Sequence, residues 1–425
     1  MSSLKISILV FFLTFPICFC YAQTESGNEN SDEPKILKDI KSFNYIEANA
    51  KTLKIPKRKY DSPFFCDELI EYKNGFIVNS ITSSRAGRQV DFTTNFFYYN
   101  TSDKSIRKIE IFKSDTIESV ISSNNALYYS LIKNGKRDIG FVKGNQYQSV
   151  LENASSDIRK HFDTTKWAKL GIEGEKLFVL SPNFLFEFSN HSWKSLTSYS
   201  LDDFYVNKLK YRRSISMLPT KNVVIKNSSI YFLQEIVQDR SCNLLKLNID
   251  NGNIDNYFTS LDYTDNYLKQ INDFTFLDDN SLLVSASRLI GSQMLINTIG
   301  NEVDVWAFNN SFTTSNGAKI ELPVTTTLNL GDTLILASNK GLFLKYNNII
   351  KPIVYFDNYH QSIKEKIGIL DFNFDPRSVK KISDNIFIIG GMWGGLYQVD
   401  ILNSKLTCLD DIDYEKIKIV DLSEL

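Results

Sequence analysis

A block of about 52 residues recurs seven times along this 425-residue chain. Each copy holds short apolar runs separated by polar turns, and no long stretch shows helical periodicity. These three observations predict an all-β fold, a seven-bladed β-propeller of four-stranded antiparallel blades. A unit this small cannot bury both faces of its own sheet, so it must stack on its neighbours.

The period is read from one anchor in each copy. The first apolar residue of the most regular run falls at Phe76, Leu127, Leu177, Ile230, Leu282, Leu334 and Ile386, spacings of 51, 50, 53, 52, 52 and 52 residues. An apolar stretch precedes each anchor, as at 271–276 and 325–330, and a third strand follows it, as at 95–99, 184–188, 244–247, 342–346 and 396–399. A tight polar turn then leads to a fourth strand. Those turns read Asn190-His191, Asp250-Asn251-Gly252-Asn253 and Asn347-Asn348. Asn, Asp and Gly tolerate positive φ and fit the hairpins that join twisted antiparallel strands.

Residues 1–22 are expected to be a secretory signal peptide: Lys5 supplies a basic start, 6–19 is nearly all apolar, and Ala22 offers a small residue for cleavage. The core is too short for a spanning helix and carries Pro16. The expected location is therefore exported, in periplasm, outer envelope or outside the cell, without membrane insertion after cleavage. Residues 23–60 form a polar spacer, TESGNENSDEP, followed by a candidate closing strand. Residues 61–425 are assigned to the propeller, and 414–422 (YEKIKIVDL) is a second candidate to close the ring and remove an exposed edge.

Formal net charge is −1, with no basic arm or face, so nucleic acid is not an expected partner. The 30 Phe and 21 Tyr suit sheets packed face to face. Cys66, Cys242 and Cys408 remain after cleavage, an odd set without paired spacing, and are read as buried thiols. His161, His191 and His360 are isolated, which makes them surface or packing residues; no metal or cofactor is expected. The pairs Asp202-Asp203, Asp278-Asp279 and Asp410-Asp411 are read as solvated turns.

Two segments carry a family resemblance. Residues 333–346 (TLILASNKGLFLKY) and 385–400 (NIFIIGGMWGGLYQVD) read as apolar strand, small residues, Gly-Leu-Phe/Tyr, strand. They resemble the short repeat of bacterial two-component-regulator propellers, which form periplasmic sensor regions of hybrid kinases and often sense glycan fragments. The glycine allows a tight turn that starts the third strand beside the second. This sequence ends at Leu425 with no kinase or DNA-binding region, so the role the resemblance implies is binding rather than transmission.

No nucleophile elbow, carboxylate pair or metal set is legible, so no catalytic residue is named. The expected function is a non-catalytic propeller that binds a partner protein or glycan; the alternative is a propeller-type polysaccharide hydrolase or lyase. Carboxylates converging at the channel mouth with Tyr, His or Arg favour the enzyme, and an apolar and hydroxyl lining favours the binder. The candidate binding residues lie in the most elaborate connections, 83–91, 199–214 and 234–243. They are Arg85, Arg88, Arg212, Arg213 and Arg240, whose forked donors suit acidic or sugar ligands; a solvated loop charge is the alternative for each. Trp393, between two Gly-Gly pairs, is the sixth candidate, at a rim or wedged between blades.

Overall fold

The structure is a computed structural model that divides into two units, Met1–Glu33 and Pro34–Leu425. The described residues are 40–425 without 48, 57–58, 60–65, 87–88, 111–115, 124–125, 205–216, 220, 222, 237–240, 257–270, 287–291, 300–301, 309–310, 358–374 and 393–394. The segment expected to be a signal peptide lies outside them.

Local structure follows the turn chemistry. Asn190 and His191 both take positive φ, 49° and 58°, and close a two-residue hairpin between Ser189 and Ser192. Asn227 and Ser228 do the same at 49° and 53°, joining Lys226 to Ser229. Two consecutive positive φ angles give the turn whose twist matches the flanking strands. His191 is thereby a turn residue.

Hydrogen bonding sorts the strands into six sheets. Five are separate blades of four or five strands, and the sixth has twelve. The twelve-stranded sheet contains two antiparallel runs of four strands, at 271–308 and 324–357. The arrangement is thus all-β and propeller-like with four-stranded blades, but the sheets do not separate into the seven expected. The reason is the strand Ser42–Tyr45. It pairs in parallel with Ser311–Thr314 on one side (Ser42 with Thr313) and with Ile349–Asp357 on the other (Asn44 with Ile349), fusing two runs into one sheet.

Both end segments add strands, each outside a complete four-strand run. Lys51–Lys54 lies parallel to Ile349–Asp357, and Lys418–Val420 lies parallel to Ile106–Ile109. Neither replaces a missing strand; each covers an outer edge that otherwise presents bare backbone groups.

The core is distributed between sheets. On the strand Gly75–Ala86, Ile77 packs with Val120, Leu127 and Tyr129 of the following run. Its neighbours Phe76 and Val78 point the other way, into a cluster with Cys66, Ile388 and Leu396. The same alternation continues: Leu334 and Leu336 join Leu283 and Phe312, whereas Ile335 and Ala337 join Phe387 and Ile389. Successive strand residues point to opposite faces, and here both faces are buried. That is why these strands read as continuous apolar runs. The clusters link each run to the next along the chain, and the one containing Cys66 and Ile388 joins the last to the first.

Candidate functional site: a charged ring where the inner strands begin

In four runs the first strand begins with a ladder irregularity at one shared repeat position. Pairing skips Asp67 between Cys66 and Glu68, Glu118 between Ile117 and Ser119, Thr325 between Val324 and Thr326, and Arg377 between Pro376 and Ser378. A bulged residue leaves the ladder and is re-aimed, a device common beside functional sites. Lys169, Lys221 and Asp273 stand at the same repeat position in the other three runs, although Lys169 and Asp273 stay paired in their ladders and Asn272 is the residue skipped before Asp273. Asp67, Glu118, Lys169, Lys221, Asp273, Thr325 and Arg377 therefore recur 51 or 52 residues apart, nearly all of them charged.

These residues meet one another across runs. The Glu118 carboxylate accepts from Arg137 through both oxygens, at 2.5 Å (Nε to Oε2) and 2.7 Å (Nη2 to Oε1), and from the Ser130 hydroxyl at 3.1 Å. The Glu118 carbonyl accepts from Lys169 Nζ at 3.0 Å. Lys169 is 1 % exposed. Burial pushes its pKa down, while Glu68, Glu118 and Asp67 act in the opposite direction. The Lys169 ammonium is thus buried against the first strand of the preceding run.

On the far side, Lys221 Nζ donates to Asp273 Oδ1 at 2.7 Å and to the Arg377 carbonyl at 3.2 Å. The other Asp273 oxygen accepts from the Thr326 hydroxyl. One ammonium thus ties three runs that are not all neighbours in sequence. Further bonds join adjacent inner strands: Leu69 N–H to Ser378 Oγ at 3.2 Å, Leu170 N–H to Ser119 Oγ at 3.3 Å, and Thr325 Oγ1 to the Pro376 carbonyl at 2.6 Å.

The segment 385–400 has its own part in this closure. A Cβ on Gly390 would lie 2.1 Å from Cys66 Sγ, so only glycine lets the first inner strand approach the last sheet. Gly395 has φ +80°, and a Cβ there would lie 2.1 Å from Asp410 Oδ2. Asp410 is fully buried and accepts from Leu396 N–H at 3.0 Å and Cys408 Sγ at 3.2 Å. Its reading as a solvated turn residue is corrected: the carboxylate fixes the start of the strand Gly395–Asp400. Asp278 does sit in an exposed turn, where it accepts from Asn280 N–H. Cys66 is a buried thiol, and burial raises its pKa well above its ordinary value, whereas Cys408 is only half-buried, against its reading as buried, and the Cys242 side chain lies outside the description.

His161 proves to be a packing residue. It lies on the helix Ser156–Thr164 against Phe184 and Phe186, with ring centroids at 4.8 and 5.1 Å.

Of the six sequence-named residues, Arg88, Arg212, Arg213, Arg240 and Trp393 lie outside the described residues. The backbone of Arg85 pairs with Val90 in a long hairpin, and its side chain is outside the description. The strand ends bounding these connections lie at the ring's end of the blades: Met392 pairs with Asp375, two residues from Arg377, and Ser80 pairs with Cys66, beside Asp67. Reading the residue about nine places before each anchor down the seven copies would have exposed the ring.

No family model matches this chain, and no curated protein does. Solved structures similar to it include the extracellular domain of a hybrid two component system from B. thetaiotaomicron, at 11% identity and TM-score 0.42, covering 84% of this chain and 39% of that one. This chain therefore spans about two-fifths of that domain. It is similar also to YCF48 bound to D1 peptide, at 8% identity and TM-score 0.45, with 83% and 99% covered. The Dos1 propeller matches at 13% identity and TM-score 0.42, with 83% and 84% covered. Among the described residues no helix is long and apolar enough to cross a membrane.

Proposed function

We propose that this chain is an exported, non-catalytic β-propeller of the two-component-regulator type. In this reading it has seven blades, counting the two runs of the twelve-stranded sheet separately. It binds a partner protein or glycan at the end where the inner strands begin. The observation that carries this reading is the engagement of two of the ring's three carboxylates. Glu118 is clasped by Arg137 and Asp273 by Lys221 and Thr326, so both oxygens of each carboxylate already accept hydrogen bonds. A general acid or nucleophile in a glycosidase must instead present an oxygen to substrate. The ring is charged rather than apolar; Asp273 is paired between blades and Glu118 within its own blade, which suits a fixed floor beneath a binding surface.

The test is a thermal-shift screen of residues 23–425 against an oligosaccharide panel, with reducing-end release measured in parallel. A rise in melting temperature without product supports a glycan-binding role, because a ligand that binds only the folded state stabilises it. Product release overturns the non-catalytic reading. Silence in both directs the search to a protein partner.

A further inference from the structure

Helix Ser156–Thr164 leads, through Trp167 and Ala168, directly into the strand that begins with Lys169. Its seat on the third run is built around His161. Phe184 and Phe186 flank the ring from below, and Phe162 follows it on the helix at 5.6 Å. Its Nε2 lies 3.0 Å from Ser181 Oγ. That hydroxyl also lies 2.9 Å from the Phe184 carbonyl and accepts from the Phe184 N–H at 3.1 Å. The ring is half-buried, and protonation places a full charge against this aromatic face.

Neighbouring charge also disfavours the cation. A histidine in the last turn of a helix is usually favoured as a cation by the carbonyls there. Here Arg137 already occupies those carbonyls: its Nη1 donates to the Phe162 and Thr165 carbonyls, the latter at 2.9 Å. His161 consequently faces a guanidinium where a helix end ordinarily offers partial negative charge. Burial and then Arg137 lower its pKa below the ordinary value of 6.5. Glu118 lies behind Arg137, already bound to it; the other elements packed on the ring present Phe184, Phe186, Ser181 and the Tyr199 hydroxyl, which bonds the Ser181 and Phe184 carbonyls, and Asp157, Arg159, Lys160 and Asp163 on the helix itself are exposed.

We propose that His161 is an acid-sensitive latch: its protonation unseats the helix Ser156–Thr164 and, through Arg137 and Glu118, loosens the ring at Lys169. The sign follows from the lowered pKa. The folded state prefers neutral His161, so its contribution is full above the unfolded value of about 6.5 and is lost as pH falls from there towards the folded value. The inference concerns acid response and stands apart from any ligand.

The chain has three histidines, so a histidine-labelled NMR titration can follow each one. Trp193 reports on the seat: its Nε1 bonds the Val150 carbonyl at 2.8 Å and its ring lies 5.6 Å from Phe162. The expected result is a His161 midpoint below 6.5, with a tryptophan fluorescence change centred at the same pH. His161→Phe fills the seat without a charge, and His161→Gln keeps a polar partner for Ser181. In whichever of these retains the melting temperature of the parent at pH 8, the fluorescence change disappears. A His161 midpoint at or above 6.5, no fluorescence change in the parent down to that midpoint, or a change that persists in a folded variant overturns the latch.

Discussion

Lys169 Nζ donates to the carbonyl of Glu118, 51 residues earlier in the chain, at 3.0 Å. The two residues hold the same place in successive repeats, so the repeat itself brings the ammonium onto the backbone of the preceding ring residue. Replacing Lys169 by Met keeps an unbranched side chain one atom shorter and removes the ammonium, leaving Asp67, Glu68 and Glu118 with one fewer counter-charge. The expected loss is about 3 kcal/mol in urea unfolding, the order found when one member of a buried charged set is removed.

This ring shows what the sequence revealed and what it withheld. The apolar anchors were legible because both faces of the anchor strands are buried, which leaves unbroken runs such as 334–337 and 387–389. The two-residue turns at Asn190 and Asn227 were legible because positive φ restricts which residues fit. Ring residues were not, because Asp67, Lys169 and Thr325 share a position but no chemistry; only their contacts give them a common role. The fusion of two runs by Ser42–Tyr45 was hidden for a different reason: a four-residue parallel strand carries no turn signal linking it to partners some 270 to 300 residues away.

That strand makes a second prediction. Phe43 is buried against Trp306 and Phe312, with centroids at 5.8 and 5.6 Å, and Lys345 Nζ lies 4.1 Å from the Trp306 ring centroid. Phe43→Ala should cost about 3–5 kcal/mol by calorimetric or denaturant unfolding. An exposed neighbour, Lys51→Ala, should change stability by no more than about 0.5 kcal/mol.

Gly390 and Cys66 form a coupled pair across the closure. Gly390→Ala places a methyl in the space of Cys66 Sγ and should destabilise by about 1–3 kcal/mol. Adding Cys66→Ala removes the sulfur and should recover part of that loss. A double-mutant cycle measures the coupling, expected at about 0.5–3 kcal/mol for side chains in contact.

Alkaline pH should act through buried phenols. Tyr129 donates to Asp138 at 3.1 Å and Tyr147 to Asp421 at 2.8 Å, and burial followed by these carboxylates raises both pKa values above the ordinary 10.0. A raised folded value means that their contribution is full below pH 10 and is lost as pH climbs beyond it. Tyrosinate absorbance should therefore rise in two stages, exposed phenols near pH 10 and these two only with unfolding.

The most direct test of the account exchanges the charges of Lys221 and Asp273. If the Lys221–Asp273 pair serves to join blades, Lys221→Asp and Asp273→Lys should each lower stability by about 2–4 kcal/mol in denaturant unfolding, since each leaves like charges facing at a partly buried site. The double exchange should recover more than half of that loss. Single substitutions that leave the unfolding midpoint unchanged, or a double exchange no better than their sum, would contradict the claim that these charges are engaged in holding the blades together beneath a binding surface.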